Sequence, residues 1–79
     1  MNFSALKKGQ IAVVQAELST GIVLAPGGQR HLGSGDAFCT FDTLAEAQAF
    51  AQSVVAANSE VECGLYDSGG KHLERITSK

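Results

Sequence analysis

Thr43-Leu44-Ala45-Glu46-Ala47-Gln48-Ala49-Phe50-Ala51-Gln52-Ser53-Val54-Val55-Ala56-Ala57 is the one clear helix in this chain. Leu44, Ala47, Phe50, Ala51, Val54 and Val55 recur at helical spacing and form one apolar stripe, with Glu46, Gln48, Gln52 and Ser53 opposite. Thr43 and Glu46 stand at capping-box spacing: the hydroxyl accepts from the Glu46 N–H, and the Glu46 carboxylate reaches back to Thr43. Asp42 suits the positive end of the helix dipole. Asn58, just past Ala57, is expected to end the helix in the left-handed conformation.

A lone amphipathic helix must bury its stripe on something, and the segments around it read as strands. Gln10 to Leu18 is rich in β-branched residues and predicts a first strand. Ser19-Thr20-Gly21 predicts a tight connection to a second strand, Ile22 to Ala25, which Pro26-Gly27-Gly28 ends. Gln29 to Leu32 reads as a short strand, Gly33-Ser34-Gly35-Asp36 as a turn, and Ala37 to Phe41 as a third main strand. After the helix, Glu60 to Tyr66 alternates with period two, Asp67-Ser68-Gly69-Gly70 turns the chain, and Lys71 to Ile76 returns. The fold class expected is therefore α+β: a small antiparallel sheet, strands before the helix and a hairpin after it, with the helix packed on one face. Residues 1–9 read as a loosely ordered lead-in and 10–79 as a single domain.

At 79 residues, the chain is long enough for one thin core, burying roughly 60% of its unfolded surface. Eleven of its residues are alanine, which fills little volume, so association with a second chain is a natural source of further stabilisation. The six Lys and Arg residues are spread along the chain and the net charge is −2, which is not the cationic stripe that nucleic acid requires. No apolar run approaches the roughly 20 residues that span a bilayer, and the N-terminus lacks the apolar stretch of a signal peptide. A cytoplasmic location follows as the expectation, with Cys39 and Cys63 reduced.

The stretch Phe41 to Ala51 resembles an element of small bacterial α/β proteins, in which a strand ends in an aromatic residue and passes through a Thr or Ser cap into a helix. It is also similar to the start of the helix in β-β-β-α DNA-binding modules such as AP2-type domains and the arm-binding domains of phage integrases. That resemblance implies DNA contact through Arg, Lys and Trp on the strands. Here the strands carry Gln15, Glu17, Glu60 and Glu62, and there is no Trp.

Four chemistries are set aside by the residue pattern. Gly28 to Ser34 has the glycine spacing of a phosphate loop but lacks its lysine and opens no helix. Gly33-Ser34-Gly35 lacks the third glycine of a dinucleotide fingerprint. Cys39, Cys63, His31 and His72 stand singly rather than in the close pairs of a zinc site, so no metal and no cofactor is expected. Ser34, Cys39, His31, His72, Asp36 and Asp67 supply the residue types of a nucleophilic triad without its context, so the chain is not expected to be an enzyme.

One helix covers one sheet face. Ala12, Val14, Ala16 and Leu18, with Val61, Cys63 and Leu65, are the expected inner set. That leaves Ile11 and Val13, with Ile22 or Val23, as an outer apolar patch and as interface candidates. The function expected is a non-enzymatic protein-interaction module, self-associating through the outer face or adding a sheet edge to a partner. The competing possibilities are a nucleic-acid module using Arg30, His31, Lys71 and Arg75, and a small-ligand binder or enzyme at the glycine-rich loop. The bland possibility is that the Phe3–Leu6 segment folds back over the outer face.

Overall fold

A computed structural model of the chain describes residue 3 and residues 6–25, 29–31 and 37–78. Strands β1 (Ile11–Glu17), β2 (Val23–Leu24) and β3 (Cys39–Phe41) precede helix α1 (Leu44–Ala57), and β4 (Val61–Tyr66) and β5 (His72–Ile76) follow it. The five strands form one antiparallel sheet of order β2-β1-β4-β5, with β3 also paired to β1. Ala12 to Glu17 pair with β4, so β2 and β3 share the other edge of β1 end to end: β3 against residues 11–13, β2 against 15–16. The architecture is the α+β arrangement expected. The expected turn at Gly33-Ser34-Gly35-Asp36 lies outside the described residues, as do residue 32 and residues 26–28.

Helix α1 begins at Thr43, whose hydroxyl accepts the Glu46 N–H (3.2 Å) and donates to the Glu46 carboxylate (3.1 Å). Its buried residues are Ala47, Ala51 and Val55, spaced four apart, with Phe50 and Val54 alongside. Leu44 was expected on this stripe but is exposed: it is the first helical residue, and helix side chains lean toward the N-terminus, so it overhangs the sheet. Asn58 does not adopt the left-handed conformation either; its φ is −146°. Its side chain instead accepts the Glu60 N–H (3.0 Å) and its carbonyl the Val61 N–H (3.2 Å), which carries the chain directly into β4.

The register of β1 against β4 reverses the expected inner face of β1. Val13 pairs with Leu65, Gln15 with Cys63 and Glu17 with Val61. Ile11, Val13 and Gln15 therefore lie under the helix, and Ala12, Val14 and Ala16 face away. Hydrophobicity alone favours Ala12, Val14, Ala16 and Leu18 as the core side. Volume decides instead. The helix presents two fully buried alanines, which let it approach the sheet closely, so the sheet must supply bulk. Ile11, Val13, Leu65 and Ile76 do so, around Cys63. Gln15 is buried among them at 6% exposure. The second half of the expectation, Val61, Cys63 and Leu65 inward, is what the structure has.

This parity is testable with one substitution at two adjacent positions. Val13→Glu places a charge where the residue is 1% exposed and should abolish cooperative urea unfolding, whereas Val14→Glu should leave the far-UV spectrum and the transition intact. Leu65→Ala should cost about 3 kcal/mol by the same measurement.

Candidate interaction face

The helix-free face is built from the alternate residues of the same strands. The register aligns Ala12 with Thr40 and Tyr66, Val14 with Gly64, Ala16 with Val23 and Glu62, Gly64 with Arg75, and Tyr66 with His72. Small residues on β1 leave room above the sheet, and aromatic rings fill part of it. Phe3 lies with its ring 5.0 Å from that of Phe38 and 5.0 Å from that of Tyr66, stacked on the latter at 22°. His72 meets Tyr66 edge-on at 5.2 Å. Ala12 is fully buried although it faces away from the helix, and Leu6 and Ala37 are buried as well. Phe3 and Leu6 of the N-terminal segment thus pack onto the body, and Phe3 screens part of the outer face.

Tyr66 reaches this position because residue 64 is glycine. A Cβ at Gly64 would lie 3.0 Å from Tyr66 Cε1 and 3.3 Å from its hydroxyl, so the ring lies along the strand over a position with no side chain. Beside the rings runs a groove of about 350 Å³ lined by Phe3, Val14, Val23, Tyr66 and Gly70. Aromatic walls and a valine floor give it an apolar lining.

The interface candidates divide accordingly. Ile11 and Val13 are corrected from outer face to core, at 7% and 1% exposure, for the reason of register given above. Val23 lines the groove; Ile22 is exposed but is not among the groove residues. Val14 (expected inward), Tyr66 and Gly70 are groove residues that the sequence does not indicate directly, while Phe3 belongs to the segment expected as the alternative cover of the outer face. The signal available was Gly64 two residues before the chain's one tyrosine.

The cationic candidates do not converge. Arg30 bridges to Leu24 outside β2, while Lys71 and Arg75 belong to the β4–β5 hairpin at the other side of the sheet, with β5 about 19 Å away across four strand spacings. Arg30 donates twice to the Glu17 carboxylate, at 2.8 and 3.1 Å. Those bonds, with one from Thr20, hold the Glu17 carboxyl below its ordinary value, and the same carboxylate raises Arg30. Arg75 donates twice to Glu62 at 3.0 and 2.6 Å. Each Arg therefore meets a strand carboxylate at close range. The His31 N–H donates to the Val23 carbonyl (3.0 Å), extending the sheet edge at this point.

Cys39 and Cys63 share the helix side but flank β1 on opposite edges, in register with Val13 and Gln15. Two strand spacings put their Cα atoms more than about 9 Å apart, beyond the roughly 7 Å that a disulfide can span. Both thiols are free, and burial raises both; Cys63 is pushed up to about 11, with Cys39 and Glu62 adding to the effect. A thiolate is the reactive form, so both are poor nucleophiles at neutral pH. His31 and His72 stand at opposite sides of the sheet, and among the described residues no three metal-ligating side chains come together. The glycine-rich loop from Gly27 to Gly35, with Ser34 and Asp36, lies largely outside the described residues.

Comparison with protein-family models, with curated proteins and with solved structures returns no match to this chain.

Three measurements follow from this geometry. Gly64→Val should displace the Tyr66 ring and cost about 1–3 kcal/mol by overpacking, read in near-UV circular dichroism, where a single Tyr and no Trp make the band assignable. Iodoacetamide on the native protein should label Cys39, which is partly exposed, well before Cys63. Stability should fall as pH rises from 9.0 toward about 11, because the unfolded Cys63 thiol ionises there while the buried one keeps its proton.

Proposed function

We propose that this chain is a non-enzymatic interaction module that self-associates through the helix-free face of its sheet. The observation that carries the reading is the aromatic-walled groove of about 350 Å³ over Val14 and Val23. Apolar surface of this kind, continuous on one face and framed by the Arg75–Glu62 ion pair, has the anatomy of an association surface with an apolar centre and a polar rim. The Phe3 and Tyr66 rings along its wall are residue types enriched at the cores of interfaces. A second copy is the partner whose surface is known to match in kind, since a two-fold interface uses the same patch twice.

A cytoplasmic location accompanies the reading, because two free thiols, Cys39 and Cys63, suit a reducing compartment. No described helix is long and apolar enough to cross a membrane. The nucleic-acid alternative draws no support from cations that stand at opposite sides of the sheet, two of them close against glutamates.

Sedimentation velocity across a wide concentration range tests the proposal. The wild-type sedimentation coefficient should rise with concentration, and Val14→Glu should hold the protein at the monomer value while its far-UV spectrum stays native. A wild type that stays monomeric throughout, or a Val14→Glu variant that associates equally well, rejects this face as the interface.

A further inference from the structure

Phe3 is the residue through which the N-terminal arm grips the outer face, and the arm is tethered by a short surface turn. The Gln10 N–H donates to the Lys7 carbonyl at 3.0 Å, and the Lys7 N–H donates to Gln10 Oε1 at 2.9 Å. Between them Gly9 has φ +90°, with nothing within 4 Å of where a Cβ would sit. Lys7, Lys8 and Gly9 are exposed. Beyond this turn the arm is held at Leu6, which is buried, and at Phe3, seated between the Phe38 and Tyr66 rings and 3.9 Å from the Cβ position of Gly70. The seat is therefore a socket already shown to fit one particular side chain, and a second copy of the chain presents the same side chain on the same arm.

We infer that the Phe3 arm is exchanged between two copies, each ring seating in the Phe38–Tyr66 socket of the other while the turn at residues 7–10 opens into an extended linker. The inference rests on the self-association proposed above and specifies its geometry. Every contact Phe3 makes within its own copy is remade in the exchanged pair, so exchange loses no packing and adds whatever the two outer faces bury together. The socket adjoins the groove, and Phe3 and Tyr66 belong to both, so reciprocal exchange draws the two helix-free faces toward each other. What opposes exchange is the closed turn, and that turn depends on a left-handed residue, a conformation that any side chain with a Cβ disfavours.

Gly9→Val tests this with a sign that a purely structural arm does not produce. A β-branched residue is strained in the closed turn and at ease in an extended linker, so the dimer dissociation constant should fall by at least about tenfold. Phe3→Ala in the Gly9→Val background should return the protein to monomer with its helix signal unchanged. If Gly9→Val lowers the unfolding midpoint without raising the dimer fraction, exchange is wrong. If Val14→Glu abolishes association while Phe3→Ala leaves it unaltered, the outer face stands as the interface and arm exchange falls. If no variant and no concentration gives a dimer, both fail together.

Discussion

The pairing of Val13 with Leu65 across β1 and β4, beneath Ala47 and Ala51 of the helix, is the contact on which the rest of this structure depends. Val13, Leu65 and Cys63 are the largest side chains fully removed from water. In a sheet, side-chain direction alternates strictly, so placing Val13 inward sends Val14 outward, and no adjustment can bury both on one side. The small helix residues make this choice favourable. They bring the helix down onto the sheet, and only the bulkier set from β1 fills the space beneath it.

The opposite face inherits the consequences. Ala12, Val14 and Ala16 are small enough to leave a shallow trough along β1, and Gly64 lets Tyr66 lie along β4 beside it. Phe3 and Phe38 close one end of that trough, while Val14 and Val23 floor the remainder. The helix-free face is thus neither bare nor fully covered. The chain shields its upper part with its own arm and leaves an apolar groove open below.

Charge is used locally. Arg30 with Glu17 and Arg75 with Glu62 each join a cation at the margin of the sheet to a carboxylate on a central strand. Exposed pairs of this kind contribute little stability. They fix where guanidinium groups point, and they keep the two sides of the sheet from acting as one basic surface. The register shift between Leu65 and Tyr66 irregularises the β4–β5 hairpin, which discourages edge-to-edge pairing at β5.

The amino-acid sequence by itself determined the elements: one capped helix, strands on either side, and turns at Gly21 and at Asp67, whose carboxylate accepts the N–H groups of Gly69 and Lys71. These depend on local periodicity and backbone chemistry, which are legible residue by residue. It also carried the orientation of β4, where glutamates alternate with apolar residues. β1 offered no such contrast, since both of its faces begin apolar, and its parity was settled only by register against β4 and by the volume the helix leaves. The groove was hidden for the same reason. Phe3, Val14, Val23, Tyr66 and Gly70 come from four separate segments, and only the folded sheet sets them side by side.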